Sequence, residues 1–211
     1  MHFLRLAKGL PKFFSTKTVQ NELGIQADSA RVLCARYAKK GIFLRLKRDL
    51  YCFKEAFLHF SREDILELSG LIQENTYLSF TTALAYYGVL PGVAHHIEAV
   101  SFQRSTEKQV GHLTWKYHHL PKNLFFSTQT LAKGAMTFTI ATPEKALLDL
   151  LYLHSLGRYS VDLRRINLEP LSLEKLFELA KQFPPRTQRF LLLLTRRSFD
   201  PKGKKGLSET F

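Results

Sequence analysis

Cysteine is nearly missing from this sequence: Cys34 and Cys52 are the only two in 211 residues. Two thiols so far apart supply neither a disulfide framework nor a four-ligand zinc site. Both stand at apolar positions, so reduced core thiols are expected. Long hydrophobic runs are also lacking. The run from Phe190 to Leu194 is far too short to cross a bilayer. The basic amphipathic start, MHFLRLAKGLPKFF, has apolar runs too short for a secretory leader. A soluble, cytoplasmic protein that does not engage a membrane is the expectation. The signatures of common active sites are missing too: no phosphate-binding glycine loop with Lys-Ser/Thr, no dinucleotide-binding glycine fingerprint, no helical His pair around a Glu, no serine elbow. The expectation is therefore a non-enzyme, with no catalytic residue, cofactor or metal assigned. His95-His96 and His118-His119 do not alter this, because neighbours on a strand point to opposite faces and cannot easily share a metal. Glu144 and Asp149 diverge in direction on a helix, which suits capping and ion pairing better than acid–base chemistry.

What the chain does have is apolar content and positive charge. Apolar residues make up 45% of it, enough for a substantial core, and the net charge is +13. The charge is unevenly placed. Residues 1–53 hold 11 Lys and Arg against 3 Asp and Glu, whereas residues 54–194 hold 15 against 13. Basicity gathered onto one compact stretch points to a polyanionic partner, because each neutralised phosphate releases counterions. The 17 Phe and 8 Tyr fall mostly in apolar stripes, so they are expected to pack the core. Tyr86-Tyr87 is the exception, since one of the pair must leave the helix core.

The basic stretch has an internal order. Residues 3–14 predict a first helix, with Phe3, Leu4, Leu6, Leu10, Phe13 and Phe14 as core contacts and Pro11 bending or ending it. Ser15-Thr16 caps a second helix that runs from Lys17 to Leu23 and stops at Gly24. A third helix follows, capped by Asp28 or a neighbour, with Ala30, Leu33, Cys34 and Tyr37 as its apolar stripe. Gly41 stops it. Ile42, Leu44 and Leu46 then alternate with Phe43, Arg45 and Lys47 as a strand, Arg48-Asp49 turns, and Leu50 to Phe53 returns. Three helices and then a ribbon is the order of a winged helix-turn-helix. On the third helix, Arg31, Arg36, Lys39 and Lys40 lie off the apolar stripe, and Gln26 and Ser29 sit near its start, where base edges are usually read. Arg45, Lys47 and Arg48 of the ribbon suit phosphate or minor-groove contact. The expected partner is double-stranded DNA.

Beyond this module, Phe57 to Asn75 predicts a helix capped by Ser61 with Asp64, and Thr76 to Gly88 a further helix. Val89 to Gly92 forms a turn. Ile97 to Phe102 and Leu113 to His118 have strand composition, with a polar loop, Gln103 to His112, between them. Leu124 to Phe126 and Met136 to Ala141 are further short strands, with a turn at Lys133-Gly134. Thr142-Pro143-Glu144 is a strong helix start, and Lys145 and Asp149 are placed to pair across one turn. Ser172 and Pro184-Pro185 open the last two helices. The expected fold class is α+β: a winged helix-turn-helix over residues 1–55, a mixed α/β domain with a small sheet and flanking helices over 56–195, and a flexible basic tail over 196–211.

Three blocks, KKGIFLRLKRDLY, NTYLSFTTALAYYGVLPG and TFTIATPEKALLDLLY, resemble in order and spacing the AbiEi-type antitoxin and transcriptional-regulator family of type IV toxin–antitoxin (abortive-infection, viral-defence) systems. The resemblance spans roughly residues 15–195, and the third block is its most specific part. It departs at the ribbon turn, where Asp49 stands in place of the family's usual glycine before Leu-Tyr. The resemblance implies a repressor that binds its own operator and neutralises a nucleotidyltransferase-type toxin encoded alongside. Apart from the resemblance, the second domain is expected to dock a protein or a second protomer, which would give self-association on DNA. A solitary regulator without a toxin, or a nucleic-acid-processing enzyme targeted by the winged helix, are the alternatives.

Overall fold

The computed structural model describes residues 2–91, 96–133 and 136–199. The side chain of Phe3, Gly92, His95, Gly134 and the tail from residue 200 onward lie outside the described residues. The chain is mixed α and β, with one two-stranded and one six-stranded sheet among the described residues.

The N-terminal quarter is built from α1 (His2–Gly9), α2 (Thr16–Leu23), α3 (Ala27–Lys39), β1 (Phe43–Lys47) and β2 (Leu50–Phe53). Local chemistry fixes most of the ends. Ser15 and Thr18 form a reciprocal capping box at the start of α2. Gly24 ends α2 in the left-handed conformation (φ 65°), returning its N–H to the Gln20 carbonyl at 2.9 Å. The turn of Gly24 to Gln26 then carries the chain into α3. Gln26 occupies the cap position of α3 without a side-chain bond, and Asp28 pairs with Arg31 instead of capping.

Three expectations are corrected here. The first helix stops at Gly9 rather than reaching residue 14. Phe14 instead exchanges both backbone hydrogen bonds with Tyr51, at 3.0 and 2.8 Å, adding a third strand-like segment to the hairpin. Leu4 is 67% exposed and contributes nothing to the core. The alternation expected along β1 also breaks, because the register shifts between Arg45 and Lys47.

The hairpin therefore presents two apolar faces. Phe43 and Tyr51 pack with Leu6, Phe14, Val19, Ala30, Leu33 and Cys34 in the helical cluster. Leu46 and Cys52 belong to the larger core made by the rest of the chain. Both cysteines are free and fully buried. Burial pushes the Cys34 thiol up to about 11 and the Cys52 thiol up to about 12, so neither is a thiolate at neutral pH.

The remaining elements are α4 (Lys54–Phe57), α5 (Arg62–Ile72), β3 (Thr76–Leu78), α6 (Phe80–Tyr86), β4 (Ile97–Ser101), β5 (Thr106–Val110), β6 (Leu113–His119), β7 (Thr128–Lys133), β8 (Met136–Ala141), α7 (Pro143–Ser155), α8 (Leu173–Ala180) and α9 (Pro185–Phe199). The sheet order is β5-β6-β4-β3-β8-β7, with β3–β8 and β4–β6 parallel and the other pairs antiparallel. Helix α5 covers one face, where the Tyr117 hydroxyl donates to the Ser69 carbonyl at 2.8 Å. Helices α6 and α7 cover the other, where Thr81 and Asp149 bond to Glu98 and Tyr77 of the sheet. Every residue of β4 is buried, as expected of a central strand covered on both sides.

Three further expectations give way. Thr76–Leu78 is a strand, and the helix begins only after Ser79, at Phe80 with φ 52°. The polar stretch 103–112 contains β5, an edge strand whose pairing with β6 was invisible in a sequence without apolar alternation. Leu124–Phe126 is not a strand: Lys122–Leu124 is a 3-10 turn, and the next strand begins at Thr128. Leu124, Phe125 and Phe126 fill the core from a loop, with Phe125 edge-on to Tyr77 at 5.1 Å. The ends of α5, α7 and α8 follow their caps Ser61, Thr142 and Ser172.

At the hairpin turn, Asp49 adopts φ 57°, and its Oδ1 accepts from the backbone N–H of Thr16 at 2.9 Å and from the Thr16 hydroxyl. The turn is thereby pinned to the first residue of α2. Asp49→Ala removes this acceptor and places a Cβ-bearing residue without a local hydrogen bond in the left-handed region. The expected cost is about 2 kcal/mol in urea unfolding. Asp49→Gly is expected to recover about half of it. Equal losses from the two substitutions would contradict a conformational role for this position.

Candidate nucleic-acid interface

The inward face of α3 is set by Ala30, Leu33 and Cys34, all buried, with Tyr37 half-buried against Phe43 at 5.2 Å. Residues on the opposite face, half a turn away from that stripe, face solvent. Asp28, Val32, Ala35 and Lys39 recur at three- and four-residue spacing along the middle of the outward face. Arg31 flanks them on one side, and Ser29 and Arg36 on the other. All are exposed, as are Gln26 at the cap and Lys40 after the last turn.

The charged groups differ in how firmly they are held. Arg31 Nη1 donates to Asp28 Oδ1 at 2.8 Å, but both side chains are largely exposed. A surface pair of this kind is worth about 0.5 kcal/mol, so the guanidinium can exchange partners at little cost. The Arg36 guanidinium lies 5.9 Å from the Tyr37 ring. Arg36 and Lys39 also complement the negative end of the α3 dipole, a stabilising role independent of any ligand. On the hairpin, Arg48 is exposed at the turn beside Asp49, and Arg45 is exposed with its Nε 3.3 Å from the Lys47 carbonyl. Lys47 is half-buried, with its Nζ 3.4 Å from Glu74. Of the nine residues singled out in the sequence, six belong to α3 or its caps and three to the hairpin. Lys47 is the one directed toward the larger body.

Sequence reasoning missed Val32 and Ala35. An apolar residue in a helix reads as core, yet Val32 is 66% exposed. The available signal was its place opposite the Ala30–Leu33–Cys34–Tyr37 stripe.

The other chemically notable cluster is closed. Lys145 and Asp149 pair across one turn of α7, both fully buried. Asp149 also accepts from the Ser79 hydroxyl at 2.8 Å and from the Tyr77 hydroxyl at 3.0 Å. The Lys145 ammonium sits over the rings of Phe126, Tyr77 and Phe183 at 5.0 to 5.4 Å. Burial pushes the lysine down and the aspartic acid up, and their mutual attraction opposes both shifts. Glu144 is buried and accepts the Ser172 N–H at 3.0 Å, tying α7 to the start of α8. Glu144 and Asp149 thus have separate structural partners. His118 bonds to Glu98 at 3.1 Å while His119 is exposed, so that histidine pair is divided between environments. Among the described residues no group of His, Cys, Asp and Glu has metal-binding geometry, and no helix is long and apolar enough to cross a membrane. A cleft of about 330 Å³ lies between α5 and strands β3 and β8, lined in part by Ser69, Tyr77 and Thr139.

Lys145→Met alone leaves the Asp149 carboxyl buried without its cation, at an expected cost of about 3–5 kcal/mol in chemical denaturation. Adding Asp149→Leu is expected to restore most of that loss. A double variant no more stable than the single one would show that packing, not the ion pair, sets the cost.

No protein-family model matches the chain. No curated protein matches it in sequence.

Proposed function

We propose that this chain is a DNA-binding transcriptional repressor whose N-terminal part, residues 1–55, is a winged helix-turn-helix. In this reading α3 enters the major groove, which admits one α-helix. The hairpin is the wing, with Arg48 and Arg45 against phosphates or the minor groove. The observation that supports the reading best is the outward face of α3. Arg31, Arg36, Lys39 and Lys40 are all solvent-exposed there, and Asp28 is the only acid on that helix. Gln26 and Ser29 stand at its N-terminal end, where side chains reach base edges. Lys47, held near Glu74, has the smaller part in this scheme.

The regulatory role assigned to residues 56–195 rests on the three sequence blocks that resemble the AbiEi-type family. On that basis the chain is an antitoxin that represses its own operon and neutralises a nucleotidyltransferase-type toxin encoded beside it. Self-association on DNA accompanies repression.

Replacing Arg31 and Arg36 together with alanine is expected to weaken binding to a selected duplex by about 2–4 kcal/mol in a gel-shift titration. Arg48→Ala is expected to lower the slope of log affinity against log salt by about one unit. Wild-type affinity and salt dependence in both variants would contradict the groove assignment.

A further inference from the structure

Val32 is the sixth residue of α3 and stands at the middle of its outward face, 66% exposed. Ala35, one turn further on, is exposed too. The pair forms an apolar strip between Arg31 on one side and Ser29 and Arg36 on the other. Among the described residues it takes no part in a hydrophobic core: Ala30, Leu33 and Cys34 make the inward face. Valine is also a poorer helix former than alanine or the basic residues around it, so local helix stability does not explain its presence. An apolar strip edged by cations has a natural complement in the major groove, where the thymine 5-methyl is the apolar group among base edges and phosphates lie to either side.

We propose that Val32 is a specificity-determining residue that packs against the 5-methyl group of a thymine, with Ala35 letting the helix approach closely. This deepens the DNA-binding reading and rests on it. The flanking cations supply affinity that is blind to sequence. Val32 adds preference for an A·T pair at one position, and the short Ala35 side chain keeps the backbone near the groove floor. The contact is worth roughly one buried methyl group, or about 4-fold in affinity.

The test uses the full chain and duplexes that it selects from a random-sequence library at low salt. Each selected thymine is replaced in turn by uracil, which lacks only the 5-methyl group. The wild-type chain is expected to lose about 4-fold in affinity at one such position per half-site. Val32→Ala is expected to bind the thymine duplex correspondingly more weakly and to treat thymine and uracil alike there. The substitution is at an exposed position and raises helix propensity, so the variant folds. If Val32→Ala still discriminates thymine from uracil as the wild type does, or if the selected duplexes share no fixed A·T pair, the inference is overturned while DNA binding stands. If the wild-type chain retains no duplex at all, the DNA-binding reading itself fails, and the inference with it.

Discussion

The hairpin β1–β2 is a wall shared by two cores, and the arrangement of the chain depends on it. Phe43 and Tyr51 close the helical cluster on one side, and Leu46 and Cys52 enter the larger core on the other. Each buried side chain of this size contributes about 1.5–3 kcal/mol, so neither body can let go of the ribbon cheaply. The seam is reinforced beyond the ribbon. Lys12 pairs with the buried Asp64 carboxylate, which also caps α5 with Ser61, and Phe13 meets Phe60 edge-on at 5.4 Å. Burial alone would raise the Asp64 carboxyl, but the Lys12 ammonium and the Ser61 bonds hold it below its ordinary value. In the β5–β6 turn, the left-handed Gly111 (φ 59°) lies so close to Phe57 that a Cβ would stand 2.8 Å from the ring. Helix α3 is thus fixed to the six-stranded body through the hairpin, rather than carried on a free linker.

That rigidity bears on the proposed function. A docking helix loses less entropy on binding when its scaffold holds it in place beforehand. The two faces of α3 divide the work: the apolar stripe fixes its position, and the opposite face remains open with its charges weakly committed. The Lys145–Asp149 pair does the reverse in the other body. It is sealed by aromatic rings and satisfied by Tyr77 and Ser79, and it ties α7 to β3 at the centre of the fold. A buried ion pair of this kind is costly to break on one side, which suits a group that fixes registry rather than one that reacts.

The elements legible in the sequence were those with local chemistry. Ser15, Gly24, Ser61 and Thr142 mark helix ends through bonds to residues within four positions, and all four act as caps. The features that were not legible depend on distant partners. The polar strand Thr106–Val110 exists because β6 pairs with it, and Thr76–Leu78 is extended because β4 and β8 flank it. Phe14 leaves its expected helix to pair with Tyr51, 37 positions away. In the candidate interface the cations could be named from their place off the apolar stripe. The tie between Lys47 and Glu74 could not, nor could the exposure of Val32, since each requires knowing where the rest of the chain lies.

In the proposed function one surface, the outward face of α3 with the hairpin turn, meets a duplex. Amide hydrogen exchange of the full chain, measured with and without double-stranded DNA at low salt, tests it most directly. The expected result is added protection over residues 26–40 and 47–50, with exchange in β4, β6 and α7 unchanged. Protection confined to the six-stranded body, or no change anywhere under conditions where the duplex is bound, would contradict it.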